Sequence, residues 1–585
     1  MHQGEVYKSY EPRRPRSLDD HCPSYSSGAA YYALHGHTST TTTTMHSGTA
    51  TKSTQAVTVA TFVRTVTTPT TARPANTPIP GKKTLVIAMG DWGAPNPFLF
   101  YPRGPGYVLT SFIFDTLVWK NQSGVVPWLA SSWEHPDPYT WVFHLRRGVK
   151  WQDGWPFTAK DVVFTFKYLA EHHWAWKNID PSLIKKVYAE DNYTVVIKLA
   201  KPYPFFLEDY ASTVFILPWH IWRNVTNPYS FRGKEAFIGT GPYMLKTYKP
   251  QQEYIFVANP RFWAGKPLYD EIRVVNIGFS NPQQAALALI SGKVDTATFM
   301  GKAYRVVKMI EQRVPGVRVQ SGPMYWVLFL GFNLDKWPYN ETLFRRAVAY
   351  ALNLTELVIK ATGSKEAALP GSPGYIPPYS PFYNPDIPRY PYDPAKAEEM
   401  LGKLGLVDRN GDGCRDLPSG EPWHPVLVAP RWYTQEALII KDMLKRVGIC
   451  VEIKTVNSFH QLDSLIKKGA YDLEINGHGA TGNSPTAFTW YFSGRFGARW
   501  NNKTYWELVQ KLVSAETRQE ALRYAKELQV VIAEQLPRIA LYYPNIFVVT
   551  RPSVRVHWFF TAGGIDGGIP LPYNKLALIT PQPKH

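Results

Sequence analysis

The side chains best suited to ligand recognition lie in the segment YDLEINGHGATGNSPTAFTWYFSG, residues 471–494. It combines uncharged hydrogen-bonding groups with flat aromatic rings, and no Asp or Glu occurs from Ile475 to Trp506. Such groups suit the hydroxyls and apolar faces of sugar rings, although each aromatic ring alone could equally belong to a core. The predicted ligand-binding residues are His478, Thr481, Asn483, Trp490 and Tyr491, joined by Trp92 and Trp326.

A second candidate site is the loop DRNGDGCRD at 408–416. Its oxygen-bearing side chains are Asp408, Asn410, Asp412 and Asp416. With Gly413 for the sharp turn, they copy the first nine positions of a calcium-binding loop. The bidentate Glu of position twelve is missing, because Ser419 stands there and Glu421 comes two residues later. The pattern predicts either a structural calcium ion or a plain Asp/Gly turn.

Cys414 and Cys450 are the only cysteines outside the N-terminal tail, which holds Cys22. They could form a disulfide, which would stabilise the fold by about 3 to 4 kcal/mol if loop entropy governs its effect, or stay as free buried thiols. No CxxC, HExxH, GxSxG or P-loop pattern occurs. We therefore expect no catalytic residues and no required cofactor. A rival hydrolase function would need paired carboxylates or an activated nucleophile at the ligand site.

The elements that position these residues are clearest from Pro127 to Phe166. Apolar residues alternate through YTWVFHLR, which predicts a strand, and Asp153-Gly154 predicts the turn that follows. Thr158 then precedes AKDVVFTFKYL, whose apolar residues share one helical face. With Asp161 at the third helical position, this is a capping-box pattern. Strand, turn and capped helix indicate an α/β fold.

The same stretch resembles a known family. The residues that carry the resemblance are LASSW (129–133), YTWVFHLRRGVKWQDGWPFTAKDVVFTF (139–166), GTGPY (239–243), NPRFW (259–263), FNL (332–334) and LFRRAVAYALN (343–353). They are similar, in the same order, to blocks of the family 5 extracellular solute-binding proteins of ABC importers. That family takes up oligopeptides, dipeptides, nickel chelates and cello-oligosaccharides. The resemblance spans about residues 84–550.

The resemblance implies a two-lobed α/β fold of the periplasmic-binding-protein type, class II. Lobe one would comprise residues 82–325 and 540–585, with an inserted subdomain at about 107–235, and lobe two residues 326–539. The extended runs 324–334 and 537–549 would cross the hinge between the lobes. The implied partners are a small-molecule ligand and the permease subunits of the importer. The protein itself would be a monomer, peripheral to the membrane, at the cell surface.

The resemblance also bears on the ligand. In the peptide-binding members an Asp a few residues before a Pro pairs with the α-amino group of the peptide. Here Thr481 takes that place, ahead of Pro485. A buried ammonium without a counter-charge costs several kcal/mol, so we expect an oligosaccharide of the cello-oligosaccharide kind. An oligopeptide or dipeptide is the alternative, if Asp472, Glu474 or a carboxylate from elsewhere serves.

Length, charge and composition add further limits. With 585 residues, 44% of them hydrophobic, the chain can build two or more folded bodies. The net charge of +18 is spread along the chain, so an anionic surface is a better partner than nucleic acid. Residues 1–81 are rich in Thr and Pro, which predicts a disordered tail or stalk. Residues 1–37 lack the apolar region of a signal peptide, so the extracellular location is expected without a visible signal or anchor.

Overall fold

The computed structural model describes residues 83–100, 105–172, 182–277, 281–480, 484–494, 497, 499–564 and 572–581. The predicted tail at 1–81 lies outside these residues, as do Thr481 and Asn483 of the predicted ligand site. No helix in the described part has the length and apolar character that a membrane span needs.

The described chain contains both strands and helices along its length. The strands are β1 Thr84–Met89, β2 Val118–Asn121, β3 Gly124–Pro127, β4 Ala130–Asp137, β5 Thr140–Leu145, β6 Ile184–Asp191, β7 Thr194–Leu199, β8 Tyr243–Lys249, β9 Glu253–Ala258, β10 Gly265–Pro267, β11 Glu271–Asn276, β12 Thr296–Met300, β13 Arg318–Pro323, β14 Trp326–Phe332, β15 Ala368–Pro370, β16 Val426–Pro430, β17 Glu452–Val456, β18 Leu473–Gly479, β19 Arg538–Thr550 and β20 Ile579–Pro581. The helices are α1 Gly106–Ser111, α2 Ala159–Glu171, α3 Trp219–Trp222, α4 Pro282–Ile290, α5 Tyr304–Arg313, α6 Thr342–Ala351, α7 Leu354–Thr362, α8 Pro394–Lys403, α9 Thr434–Lys445, α10 Phe459–Lys467, α11 Phe488–Tyr491, α12 Lys503–Val513 and α13 Arg518–Gln535.

One long sheet runs through both lobes in the order β17-β16-β18-β14-β19-β12-β1-β11-β9-β8, with β13 and β15 also paired to β19. Strand β19 joins its two halves. Its first residues, from Arg538 to Tyr542, pair with β14 in lobe two. Its last residues, from Ile546 to Thr550, pair with β12 in lobe one. The two predicted extended runs are therefore strands β14 and β19, and the two-lobed α/β fold is confirmed.

Each lobe packs apolar residues on both faces of its half of the sheet. The lobe-one core contains Leu85, Ile87, Phe143 and Phe206, and it continues into the inserted subdomain. In lobe two, alternate residues of β14 enter separate cores, as the period of two requires. Leu328 and Leu330 enter one core. Val327 and Phe329 enter the other, which also holds Tyr375, Tyr491 and Phe492 and is called here the tyrosine-rich core.

The inserted subdomain has the elements that the sequence predicts between residues 139 and 171. Strand β5 lies in the four-stranded sheet β4-β5-β7-β6. Helix α2 follows, and the carboxylate of Asp161 accepts the backbone N–H of Thr158 at 2.8 Å. Asp161 is fully buried and also accepts the backbone N–H of Trp219 at 3.0 Å. Asp161 thus joins the start of α2 to the first residue of α3.

Lobe two contains the cysteine pair. Cys414 and Cys450 form a disulfide, with their Cα atoms 5.6 Å apart. Of the two sequence-based alternatives, the structure has the bridge rather than the free thiols. It ties the 408–416 loop to the segment before β17, and so fixes one end of that loop in place.

A buried charge network fastens the C-terminal segment to lobe one. The ammonium of Lys575 pairs with Asp115, and both side chains are fully buried. Asp115 also accepts hydrogen bonds from the indole N–H of Trp128 at 2.6 Å and the hydroxyl of Thr240 at 2.8 Å. The Lys575 ammonium lies 4.1 Å from the ring centroid of Trp119, a cation–π contact. Burial lowers the pKa of Lys575, and Asp115 opposes that shift.

Because of this network, we expect a single substitution to lower the stability of the fold strongly. In Lys575→Met the Asp115 carboxylate would lose its counter-charge in a dry core, which costs about 3 to 5 kcal/mol of unfolding free energy. Urea unfolding of the purified protein measures it. Lys198→Met, at an exposed lysine, is the control and should change stability by less than about 0.5 kcal/mol. Equal stability of the two variants would contradict the account.

Candidate functional site

Strand directions place the carboxyl ends of six strands opposite one another. Strand β19 runs from lobe two into lobe one and is antiparallel to both β12 and β14. In lobe one, β1 and β11 share the direction of β12, so all three end facing lobe two. In lobe two, β18 is antiparallel to β14 and parallel to β16, which is parallel to β17, so these three end facing lobe one. Ligands of open α/β sheets bind outside the carboxyl ends of strands. The cleft between the lobes is therefore the candidate site.

On the lobe-one side, Trp92 follows β1 and is held by its neighbour Asp91. The carboxylate of Asp91 accepts the hydroxyls of Tyr254 at 2.6 Å and Tyr248 at 2.9 Å and the backbone N–H of Gln251 at 2.7 Å. Burial raises the pKa of Asp91, but these hydrogen bonds outweigh it and bring the pKa below its usual value. Asp91 is thus an ionised group that fixes the loop of Trp92, which is half-buried.

On the lobe-two side, Trp326 begins β14 and pairs with Gly479 at the end of β18. Its indole lies over Gly477, where a Cβ atom would come within 2.4 Å of the indole nitrogen. Only glycine leaves this space, so Gly477 sets the position of the ring. Trp326 is half-buried. Both tryptophans lie at strand ends that face the opposite lobe, and their role in ligand binding stays a prediction.

His478, Trp490 and Tyr491 are brought together by β18 and α11. The His478 ring stacks on Tyr491 with 5.0 Å between centroids and meets Trp490 edge-on at 5.2 Å. Tyr491 is fully buried and His478 is 1% exposed, whereas Trp490 keeps part of its surface exposed. The structure thus places His478 and Tyr491 against the tyrosine-rich core. Their role in ligand binding stays a prediction.

The protonation of His478 follows from its partners. Nδ1 lies 2.9 Å from the carbonyl oxygen of Gly479, which can only accept, so Nδ1 carries the proton. Nε2 then accepts the hydroxyl of Tyr375 at 2.9 Å. Burial, helped by the positive charge of Arg538, lowers the pKa of His478 to about 3. The imidazole is neutral at physiological pH and acts as a fixed hydrogen-bonding link.

The two carboxylates considered for a peptide ammonium lie at the other end of β18. Asp472 pairs with Lys336 at 2.6 Å and accepts the backbone N–H of Val426 at 2.7 Å. Glu474 is fully buried. A Cβ atom at Gly497 would lie 2.1 Å from its Oε1 and 3.0 Å from a guanidinium nitrogen of Arg538. Both carboxylates therefore have a cation nearby and stand away from the carboxyl end of the strand.

A contact that no sequence pattern indicated joins the lobes next to the hinge. Lys302 follows β12, and its ammonium donates to the carbonyl of Trp432 at 2.8 Å. The same ammonium pairs with Glu436 of α9 at 2.6 Å. Glu436 is fully buried and also accepts the hydroxyl of Tyr542, on β19, at 2.6 Å. A lysine after a strand and a glutamate in a helix look like ordinary surface residues in the sequence.

The 408–416 loop is built from turns that its own side chains close. Asp408 accepts the backbone N–H groups of Gly411 at 2.7 Å and Gly413 at 2.9 Å. Asp412 accepts the backbone N–H of Cys414 at 2.7 Å. Within the described residues, no group of three or more His, Cys, Asp or Glu side chains is arranged to hold a metal. The hydrogen bonds are those of an Asp/Gly turn, and calcium binding stays a prediction.

Comparison with known proteins shows the family of the chain. The family model for bacterial extracellular solute-binding proteins, family 5 (middle region), matches residues 124–500. The chain belongs to this family. It is a solute-binding protein of an ABC importer, as the sequence blocks at 129–166 and 239–263 predict.

The relatives of this solute-binding protein are named for different ligands or were solved with different ligands. The dipeptide-binding protein of Escherichia coli is 26% identical over 81% of this chain and 91% of its own length. The oligopeptide-binding protein AppA of Bacillus subtilis, solved with a nonapeptide, is 23% identical, with a TM-score of 0.63 over 80% of this chain and 94% of that one. A periplasmic oligopeptide-binding protein of Thermotoga maritima, solved with mannohexaose, is 24% identical, with a TM-score of 0.62 over 81% and 93%. The two structures share the fold.

The neutral His478 of this solute-binding protein predicts a pH effect. Unfolding restores a pKa near 6.5, whereas the folded value is about 3. The contribution of His478 to the free energy of unfolding is therefore fully present above pH 6.5, and it is lost as the pH falls toward 3. Between pH 7 and pH 4.5 the wild type should lose about 2 to 3 kcal/mol more than His478→Gln. Urea unfolding at both values measures the difference, and parallel losses in the two proteins would refute it.

Calcium binding at 408–416 has a direct test. If the ion binds there, a chelator should lower the melting temperature of the wild type and leave that of Asp412→Ala unchanged, because the variant lacks one of the oxygen ligands. Differential scanning calorimetry with and without chelator gives both values. Identical wild-type curves would leave the plain Asp/Gly turn as the answer.

Proposed function

We propose that the protein captures a peptide between its two lobes and delivers it to the permease of an ABC importer. The proposal replaces the oligosaccharide expected from the sequence, because the dipeptide-binding protein of Escherichia coli aligns with nearly the whole folded part. Binding and release would involve lobe movement and no covalent chemistry. The protein would work as a monomer at the outer face of the membrane, where its relatives act.

The observation that carries the peptide assignment is Asp91. The sequence argument against peptides was the lack of a counter-charge for the α-amino group in the 475–506 segment. Asp91 supplies a negative charge from lobe one, at the carboxyl end of β1 and next to Trp92. Its partners are tyrosine hydroxyls and N–H groups. Among the described residues it forms no ion pair with Lys, Arg or His, so its charge remains available to attract a ligand ammonium.

The cleft also offers surfaces for side chains of a peptide. Trp92 and Trp326 stand at strand ends of opposite lobes, and Trp490 is half-buried beside His478. Flat rings bury apolar side chains of many sizes at little entropic cost. An oligosaccharide remains the second candidate, supported by the same rings and by the absence of carboxylates from Ile475 to Trp506.

The ligand class is tested by calorimetry of the purified protein. We expect heat of binding with a mixed peptide library and none with cello-, xylo- or manno-oligosaccharides. Binding of the oligosaccharides alone would overturn the peptide assignment and support the second candidate.

The role of Asp91 needs a matched ligand pair. Asp91→Asn should lower the affinity for a peptide with a free amino group by about tenfold, the equivalent of 1.4 kcal/mol. The reason is that the variant lacks the charge that attracts the ammonium. The same peptide with an acetylated amino group lacks that ammonium, so its affinity should be equal in both proteins. If Asp91→Asn lowers the affinity for both peptides equally, Asp91 acts through the shape of the Trp92 loop alone.

A further inference from the structure

Two neighbouring phenylalanines of the inserted subdomain enter different cores. Phe206 is fully buried in the lobe-one core, where its ring lies 5.7 Å from that of Trp141. Phe205 is 2% exposed and belongs to the tyrosine-rich core of lobe two. Its ring meets Phe382 edge-on at 5.7 Å. The chain at this point is therefore held by both lobes at once.

An ion pair stands beside the Phe205 contact. Glu208 lies in the single π-helical turn Leu207–Ala211 that follows, and it pairs with Arg518 at the start of α13 in lobe two. The guanidinium carbon of Arg518 also lies 4.9 Å from the centroid of the Phe205 ring. One cation thus contacts both the carboxylate and the aromatic face, and the side chain of Glu208 is only 16% exposed. The Arg518 side chain is 47% exposed, so water screens the pair from the arginine side and less from the glutamate side.

These contacts differ in kind from those at the hinge. The chain crosses between the lobes within β19 and between β13 and β14, so rotation about these crossings leaves the lobes connected. The Glu208 and Arg518 contact joins segments 310 residues apart in the sequence. It has no covalent link that would hold it through such a rotation. Opening of the lobes must separate it and withdraw Phe205 from the tyrosine-rich core.

We propose that Phe205, Glu208 and Arg518 form a latch that holds the two lobes closed. Phe205 buries its apolar ring in the tyrosine-rich core. The ion pair of Glu208 with Arg518, and the cation–π contact of Arg518 with the ring, fix the orientation of that ring. Release of the ligand requires this latch to open, so its strength sets how long the closed state lasts. The latch depends on the two-lobed fold and not on whether the ligand is a peptide.

The latch is tested in ligand-free protein, which separates it from the peptide assignment. Spin labels at Lys198→Cys in the subdomain and Lys454→Cys in lobe two, both at exposed positions, report the distance between the lobes. Cys22→Ser removes the remaining thiol, since Cys414 and Cys450 are bonded. In Phe205→Ala and in Glu208→Arg we expect the ratio of closed to open populations to fall at least about fivefold, the lower end of typical coupling between sites.

Two controls separate the latch from general loosening. Combining Glu208→Arg with Arg518→Glu restores an ion pair of reversed sign and should return the distance distribution toward that of the wild type. Glu399→Arg breaks an exposed ion pair with Lys403 inside lobe two and should leave the distribution unchanged. Distributions that stay the same in Phe205→Ala and Glu208→Arg, or a double variant that remains as open as Glu208→Arg, would overturn the latch.

Discussion

The pairing of β19 with strands of both lobes is the constraint on which the rest of the structure depends. Thirteen residues of continuous strand hydrogen-bond first to β14 and then to β12 and β13. This fixes the directions of all strands on either side and so brings six carboxyl ends to one place. Trp92, Lys302 and Trp326 stand at that place because each adjoins the cleft-facing end of a strand. The cleft is thus a product of sheet topology more than of any local motif.

Charges within the molecule divide into two groups with different consequences. Asp115 and Lys575 are fully buried inside lobe one, where the pair cannot separate without unfolding. Lys302 and Glu436 connect the lobes close to the crossing strands, where a rotation moves atoms least. Asp91 belongs to neither group, because hydroxyl and N–H donors hold it without neutralising its charge. The proposed attraction of a peptide ammonium depends on that charge.

The sequence predicted the local elements well where their periods are plain. The alternation of Trp141, Phe143 and Leu145 gave a strand, and Thr158 with Asp161 gave the start of α2, because both depend on neighbours within a few residues. The hinge strands followed from the family resemblance.

Contacts between distant segments escaped prediction. Lys302 with Glu436 and Glu208 with Arg518 join residues of ordinary surface type, and nothing in their local sequence marks them. His478 shows a different limit. Glu474, Asn476 and His478 alternate on one face of β18, and the segment around α11 covers that face and leaves His478 1% exposed. The sequence shows which residues share a face and not what lies on top of them.

The placement of Phe205 and Phe206 in separate cores has a thermodynamic consequence. Opening the lobes transfers the ring of Phe205 from the tyrosine-rich core to water, so the movement carries a positive heat-capacity change of its own. Apolar burial weakens on cooling. Cold therefore shifts the balance toward the open form, and moderate warming favours the closed one. Through the proposed latch, a single aromatic ring at the boundary between two cores would make the ratio of open to closed forms depend on temperature.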